Sequence, residues 1–493
     1  MSKIKDTLRR LYGGEDRFIK ILLTAAVLFW LPRLFTPLWR DEAITWWIIK
    51  DGWGEALRRA LSFQEWSAAY FLLLKAITGA ARSELLLRLP SLAAGAVCLR
   101  AVYLAGLRLK DSRAGLLAAL VFAVSAAALN YSNEARPYAA ALAFNAVALL
   151  YLLKTADEGR PRQAAVYAVC AAAGAYMHLT AGLMIAAHAF YLAWRRRTSR
   201  PAAKAAWAGI AAAVLLTLPQ FFTALSVFGR REGLMFADKP DIFSLLYCVL
   251  PPDILIGAAA GTLIARLRGG AAAAGPSEKD APGLALASAL ALTPLLAAFA
   301  LSVSGTSIWV DRYFICYQLG IALAAGLLLG RLNAAALRPA AAAITIFALA
   351  SHAHIYHIKE DWAGAMDFAR QAAERRHAGL LLTSPFIESR LPGWLGDPSK
   401  KDYLSAPLSF YGCAAPLNML PLPRGADDEA AITAALERAS AGGAVVLLSL
   451  GDRNYDERLR RRLRAAGFSL ASRRAGRLFP RAYVFVKEQQ EEL

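Results

Sequence analysis

Long apolar runs separated by short basic clusters are the feature that most constrains how this chain can fold. A helix needs about 20 mostly apolar residues to cross the roughly 30 Å hydrocarbon core of a bilayer. Eleven segments approach this requirement, at about 20–37, 85–108, 113–130, 136–153, 163–178, 179–194, 203–223, 243–265, 282–302, 313–329 and 336–355. With 57% hydrophobic residues, the 493-residue chain has less polar surface than a water-soluble protein needs. The sequence therefore predicts a polytopic membrane protein.

The distribution of basic residues predicts the orientation of these spans. A formal net charge of +19 can indicate nucleic-acid binding, but here the Lys and Arg residues lie in short clusters between apolar runs. With the N-terminus in the cytoplasm, the loops 108–113, 154–162, 195–204, 266–276 and 331–338 are cytoplasmic and basic. The segments 38–84, 131–135, 224–242, 303–312 and the C-terminal region are then external. We expect no nucleic-acid partner and an uncleaved first span.

The composition changes at about Lys359. The patterns predict helices over 362–376, 430–439 and 456–466, and strands over 379–383, 444–450 and 482–486. Strands that alternate with helices indicate a small α/β domain. We therefore expect a transmembrane domain at 1–357, with an external loop at 38–84, and an extracytoplasmic α/β domain at 358–493.

Acidic and basic side chains at the external ends of the spans are the candidates for chemistry. Asp41 and Glu42 follow the first span, where paired carboxylates suit a general base or a metal, or an ordinary solvated loop. Glu134 and Arg136 precede the fourth span, where Ser132 or Asn133 can cap the helix. An arginine beside free backbone N–H groups can bind phosphate, although a capped helix with an interfacial ion pair fits equally. A third acid–arginine–aromatic element spans 309–313.

The cysteines and histidines give weaker signals. The five cysteines form no C-x-x-C pair, so small buried side chains are the simplest interpretation. The cluster His352, His354 and His357 contains metal-ligand side chains, but its spacing suits no single helix face. His178 lies at the external turn that divides the apolar stretch 163–194.

Six short motifs occur in a characteristic order between residues 15 and 370. They are W-x-D-E at 39–42, R-L-P-S at 88–91, Y-S-x-E-A-R-P-Y at 131–138, Y-x-H at 176–178, R-Y at 312–313 and D-W-x-x-A at 361–365. In these motifs the chain resembles the bacterial family 39 glycosyltransferases, relatives of the protein O-mannosyltransferases and of the lipid A aminoarabinose transferase. The C-terminal region matches only weakly.

The resemblance implies the membrane-embedded GT-C fold and an enzyme of the bacterial cytoplasmic membrane. The donor would be a polyprenyl-phosphate sugar, transferred with inversion to an acceptor hydroxyl at the external face. By this likeness Asp41 is the general base and Glu42 assists or orients it. Further positions that the likeness implies are Arg136 and Arg312 at the donor phosphate, with Tyr138 and Tyr313 as their support, and Glu134 and His178 as additional site candidates.

One departure from the family pattern concerns the first external loop. Many relatives have an H-P-P or N-P-P-L-Y element where this chain has residues 64–70, so only Tyr70 is retained. Glu65 is a candidate substitute, and dependence on a divalent metal stays open. The sequence identifies neither the sugar nor the acceptor, which can be a glycan, a lipid or a protein. The alternative functions are a transporter or flippase for lipid-linked glycans and a non-catalytic binder of them.

Overall fold

The computed structural model describes most of the chain in two compact units. The described residues are 17–195, 200–229, 237–267, 280–351, 359–376, 378–384, 386–391, 393–412, 417–420, 429–441, 443–451, 453–474 and 479–487. The helical unit comprises Met1–Leu34, Ala56–Thr78 and Leu85–Tyr356, and the sheet unit comprises Phe35–Glu55, Gly79–Glu84 and His357–Leu493. Residues 35–55 thus group with the C-terminal region, while the functional domain division at 357/358 stays a prediction.

Sixteen described helices precede the C-terminal region, and all except α2 contribute to the helical unit. They are α1 (Arg17–Trp30), α2 (Arg40–Ile49), α3 (Trp53–Phe63), α4 (Ala68–Thr78), α5 (Glu84–Leu109), α6 (Ser112–Ala123), α7 (Ala126–Tyr131), α8 (Tyr138–Glu158), α9 (Pro161–Met177), α10 (Leu183–Trp194), α11 (Arg200–Gly229), α12 (Ile242–Val249), α13 (Pro252–Leu267), α14 (Ala281–Ser304), α15 (Tyr317–Leu329) and α16 (Ala334–Ser351).

Helix length and composition support a multi-pass membrane protein. Within the described ranges, five helices are long and apolar enough to cross a bilayer, namely α1 with its 3-10 extension, α5, α8, α11 and α14. The pair α12 and α13, bent by 52° at the break between them, would make a sixth span. Shorter apolar helices occupy several other predicted segments, so the count of eleven spans stays a prediction.

Several predicted spans are interrupted rather than continuous. Residues 113–130 form two helices, α6 and α7, because the Ser125 hydroxyl accepts the Ala128 N–H at 3.3 Å and starts a new helix. The first span ends as the 3-10 helix Leu31–Phe35, and the segment 179–194 begins with the 3-10 helix Leu179–Gly182. Apolar periodicity predicts where an apolar segment lies but not where local caps and turns interrupt its helix.

Glycines allow close approach between helices of the helical unit. A Cβ on Gly320 in α15 would lie 2.5 Å from the Ala287 carbonyl oxygen of α14, and a Cβ on Gly106 in α5 would lie 2.7 Å from Gly115 Cα of α6. Such separations are far below van der Waals contact, so only glycine fits at these crossings.

In the part of the sheet unit that the structure describes, five strands and five α-helices lie C-terminal to residue 359. The strands are β1 (Gly379–Thr383), β2 (Leu417–Leu420), β3 (Ala444–Ser449), β4 (Phe468–Arg473) and β5 (Arg481–Lys487). The helices are α17 (Trp362–Arg376), α18 (Pro398–Leu404), α19 (Ala406–Tyr411), α20 (Glu429–Ala439) and α21 (Arg453–Ala465). The strand order is β2-β1-β3-β5-β4, with β1 parallel to both β2 and β3 and β5 antiparallel to β3 and β4. All predicted C-terminal elements are present, and β2, β4, α18 and α19 are additional.

Helix α2 packs against the C-terminal residues of its own unit. Residues 42–49 are all buried. The Trp46 ring meets Phe410 edge-on at 5.2 Å between centroids, and Trp47 meets Tyr403 at 5.5 Å. Helix α2 therefore buries both of its faces.

Candidate functional site

Two arginines of the helical unit lie beside the same buried histidine. The Arg136 guanidinium carbon is 6.0 Å from the centroid of the Tyr138 ring, and that of Arg312 is 5.5 Å from the Tyr313 ring. The His178 ring contacts both tyrosines, at centroid separations of 5.4 and 5.7 Å. The charges of both arginines act on His178. We call these five residues the arginine–aromatic cluster, which joins predicted positions from three separate motifs.

Hydrogen bonds fix the ring of His178 within this cluster. His178 Nδ1 lies 2.9 Å from the Thr180 hydroxyl oxygen, and that hydroxyl donates its proton to the Tyr313 carbonyl. Because the only hydroxyl proton is used there, Nδ1 must be the donor to Thr180. Nε2 is buried and has no hydrogen-bond partner among the described residues. In this tautomer Nε2 carries no proton, so it can only accept a hydrogen bond.

Glu134 contacts Arg33, an arginine that the sequence did not suggest. The carboxylate oxygen Oε1 lies 3.9 Å from an Arg33 guanidinium nitrogen, with side chains 2% and 8% exposed. The Arg88 side chain donates to the Arg33 carbonyl at 3.0 Å, and the Ser91 hydroxyl donates to the Glu134 carbonyl at 2.5 Å. The R-L-P-S motif thus holds Arg33 and Glu134 in place. Sequence reasoning did not select Arg33, whose only signal was a basic residue at the end of an apolar run.

The predicted helix cap before α8 is absent. The Asn133 side chain donates to the Leu129 carbonyl at 2.7 Å, and Pro137 occupies the cap position without a side-chain cap. Asn133 therefore stabilises the end of α7 instead. Asn133 Oδ1 accepts no hydrogen bond from a described residue and α8 has no side-chain cap, so the capped-helix interpretation of this motif is wrong.

An apolar cavity of about 310 Å³ lies in the helical unit, between α4, α5, α8 and α9. Tyr70, Pro90, Ser91 and Phe144 are among the residues that line it. Ser91 also donates to the Glu134 carbonyl, so the cavity wall adjoins the segment that carries Arg136. Tyr70 is thus placed at a cavity, whereas Glu65 begins the 3-10 helix Glu65–Ser67 and is half-buried.

The two predicted catalytic acids lie in the first turn of α2, in the sheet unit. Glu42 is fully buried, and its Oε2 accepts the Trp39 backbone N–H at 3.4 Å. It therefore caps the helix, as a glutamate at the third helical position commonly does. Asp41 is half-buried and lies in the first turn of α2, at the positive end of the helix dipole.

Two further glutamates of the sheet unit interact with this turn, and neither was predicted from the sequence. Glu360 forms an ion pair with Arg40, with 2.7 Å between Oε1 and Nε. Glu388 follows β1, and the charges of Asp41 and Arg40 act on it. Burial raises the pKa of the Glu388 carboxyl, and the negative charge of Asp41 raises it further while Arg40 opposes the change. Loops after parallel strands commonly carry functional groups.

Across the described ranges, no group of three or more His, Cys, Asp or Glu side chains could hold a metal ion. His352, His354 and His357 lie outside the described residues, as does Cys413. Cys98, Cys248 and Cys316 are free and buried, as small apolar side chains would be.

Comparisons with known proteins define the class of the fold. Residues 65–222 match the family model described as dolichyl-phosphate-mannose-protein mannosyltransferase. The apo structure of ArnT from Cupriavidus metallidurans is similar with a TM-score of 0.52 and 12% identity, over 95% of this chain and 97% of that one. Arabinofuranosyltransferase AftD from Mycobacteria gives a TM-score of 0.53 and 16% identity, over 97% of this chain and 42% of that one. The comparison with curated protein sequences gives no match.

These findings confirm the resemblance inferred from the motifs. The chain is a multi-pass membrane protein with the fold of the GT-C glycosyltransferases, of the protein mannosyltransferase and ArnT type. At these identities the structures establish the fold alone, so the donor, the acceptor and the residue roles are proposals.

Proposed function

We propose that this protein transfers a sugar from a polyprenyl-phosphate donor to an acceptor hydroxyl, with inversion, at the external face of a bacterial cytoplasmic membrane. The observation that supports this most is the arginine–aromatic cluster, in which two guanidinium groups lie over tyrosine rings that both contact one buried histidine. Two cations beside one buried ring favour an anionic ligand, and arginine suits phosphate because its planar fork can bind two oxygens.

The donor phosphate is the group that gains charge during transfer. As the bond between the anomeric carbon and the phosphate oxygen breaks, Arg136 and Arg312 stabilise the departing polyprenyl phosphate. The apolar cavity beside Ser91 supports a lipid-linked donor, because it offers a water-excluding surface near the segment that carries Arg136. Tyr138 and Tyr313 hold the guanidinium groups through ring contacts.

The acceptor hydroxyl requires a base. Its oxygen forms the new bond to the anomeric carbon while Asp41 takes its proton, so the phosphate leaves with the bonding electron pair. Glu42 supports Asp41 through the helix cap, because its buried carboxylate accepts the Trp39 N–H. Dependence on a divalent metal ion stays open. Chelation tests it, because an unchanged rate in EDTA would exclude a metal requirement.

The test measures release of free polyprenyl phosphate from labelled polyprenyl-phosphate sugars, with membrane extract as the source of acceptors. We expect release by the wild type, almost none by Asp41→Asn, and weaker donor binding by Arg136→Met and Arg312→Met. Asp157→Asn is the matched control, because Asp157 forms only half-exposed ion pairs with Arg108 and Arg195. Equal release by wild type and Asp41→Asn would remove Asp41 as the base.

The bend between α12 and α13 favours transport as a second candidate function. Broken helices are common at the binding sites of transporters. In proteoliposomes, a transporter would move labelled lipid-linked sugar across the bilayer without releasing polyprenyl phosphate. Release without movement would leave only the transferase.

A further inference from the structure

Glu360 binds the first residue of the helix that carries Asp41. Its Oε1 lies 2.7 Å from Arg40 Nε in an ion pair, and its Oε2 accepts the Arg40 backbone N–H at 2.9 Å. The same Oε2 accepts the indole N–H of Trp362 at 2.7 Å. Glu360 thus accepts two hydrogen bonds and forms one ion pair, and two of these three contacts are with one residue of α2.

Glu360 is buried and lies next to the start of α17. Glu360 is 4% exposed and Trp362 is fully buried. A buried carboxylate is costly unless charged and polar donors surround it, so loss of any donor would destabilise it. The next residue, Asp361, accepts the Gly364 N–H at 3.0 Å and so caps α17. Glu360 is therefore held in place by the start of a helix and does not lie in a loose loop.

The contact with Arg40 reaches the backbone of Asp41 directly. Free N–H groups at a helix start need acceptors. Glu42 accepts the N–H of Trp39 and Glu360 accepts that of Arg40, so both backbone groups before Asp41 are held. Asp41 keeps a half-exposed carboxylate in the same turn. The two buried glutamates thus determine where the half-exposed acid lies.

We propose that Glu360 is a positioning residue for Asp41, holding it at the geometry that proton transfer requires. The inference rests on the proposed role of Asp41 as general base. It gives the D-W-x-x-A segment a role in the reaction, although no residue of that segment needs to contact the substrate. A base displaced by about 1 Å can lose on the order of a hundredfold in rate.

The experiment compares steady-state release of polyprenyl phosphate by the wild type and Glu360→Gln. The amide oxygen of glutamine can keep both hydrogen bonds, but glutamine cannot form the ion pair with Arg40 and places an NH₂ donor against the Arg40 guanidinium. We expect kcat to fall about tenfold or more while KM for the donor changes less than about twofold. Trp362→Phe, which keeps both Arg40 contacts, should show a smaller fall in kcat with the same KM.

Asp402→Asn is the matched control for loss of helix anchoring. Asp402 accepts the Trp47 indole N–H at 2.6 Å and lies 3.7 Å from Lys50 Nζ, at the other end of α2. It resembles Glu360 in contacting a tryptophan and a basic residue, but it does not contact the Asp41 turn. We expect Asp402→Asn to lower the thermal midpoint without the fall in kcat.

The double variant Asp41→Asn/Glu360→Gln separates positioning from general stability. If Glu360 acts through Asp41, the double variant releases polyprenyl phosphate no more slowly than Asp41→Asn alone. A further drop equal to that of the single Glu360→Gln variant would overturn the proposal, as would a wild-type kcat for Glu360→Gln. Full activity of Asp41→Asn would instead overturn the proposed base and the positioning role together.

Discussion

At the scale of residues, each unit contains buried charged groups that pair with residues distant in the sequence. Arg33 and Glu134 form a buried pair in the helical unit, and Glu360 holds Arg40 in the sheet unit. Removing one partner of such a pair leaves an unpaired charge in low-dielectric surroundings. This costs more folding free energy than the intact pair contributes.

Arg33→Met should therefore destabilise the protein by about 3 kcal/mol, because Glu134 then lacks its buried counter-charge. Thermal unfolding of the purified protein in detergent measures this. Arg160→Met is the control, since Arg160 is 71% exposed in its pair with Glu158 and should change little. The double variant Arg33→Met/Glu134→Gln should recover part of the loss. A double variant less stable than Arg33→Met would contradict the ion-pair explanation.

Glu388 gives the protein a pH-dependent stability. Burial and the charge of Asp41 raise the pKa of this carboxyl above its ordinary value of 4.5, so the folded chain keeps its proton at pH values where the unfolded chain has lost it. Its contribution to stability is complete below the ordinary pKa and is lost as the pH rises through the raised one. At about pH 7 the ionised carboxylate therefore costs stability.

We expect Glu388→Gln to melt higher than the wild type near neutral pH, with the difference shrinking toward about pH 4. Glu437→Gln, which changes an exposed glutamate of α20, should match the wild type throughout. A lower melting temperature for Glu388→Gln at neutral pH would show that the charged form makes a favourable contact.

The sequence allowed part of this chemistry to be predicted. Asp41, Arg136 and Arg312 were identifiable because charged side chains at the ends of apolar runs are costly and rarely incidental. Their roles stay predictions. The sequence did not identify Arg33, Glu360 or Glu388. Their contacts are with residues far away in the sequence, which only the fold brings near. Arg40 and Glu360, for example, are 320 residues apart.

At the scale of elements, apolar periodicity predicted where helices occur but not where they break. The helix over 282–302 is present as α14, whereas 113–130 is divided by the Ser125 cap. In the sheet unit, β3 was predictable as a wholly buried apolar strand, and the four-residue β2 was too short to show a pattern.

Packing at glycine is the element-scale feature most open to test. Gly320→Ala would place a methyl group against the Ala287 carbonyl and the Ala291 backbone of α14, neither of which can move alone. We expect a loss of about 1–3 kcal/mol, seen as a lower thermal midpoint, because the two helices must separate. Gly54→Ala, where no atom lies within 4 Å of the added carbon, is the control and should not destabilise. Equal midpoints for both variants would contradict the close crossing.

At the scale of the whole molecule, the C-terminal region is not an independent appendage. The sheet unit contains residues 35–55, which include Asp41, as well as the C-terminal strands and helices. Leu38 N–H donates to the Tyr411 hydroxyl at 2.6 Å, across 373 residues of sequence. A candidate catalytic acid near the N-terminus thus belongs to the same compact unit as residues more than 300 positions later.

A chain that ends at residue 358 should therefore lose the order of α2. Without Tyr403 and Phe410, the rings of Trp47 and Trp46 lack their aromatic partners, so trypsin should cleave at Arg40 and Lys50. Mass spectrometry of the fragments identifies these cuts, and a chain that ends at residue 487 is the control. Unreactive Cys98 and Cys316, both buried in the helical unit, would show that this unit still folds. Protection of Arg40 and Lys50 in the shorter chain would mean that α2 folds without the C-terminal region, and Glu360 could not then be what holds Asp41.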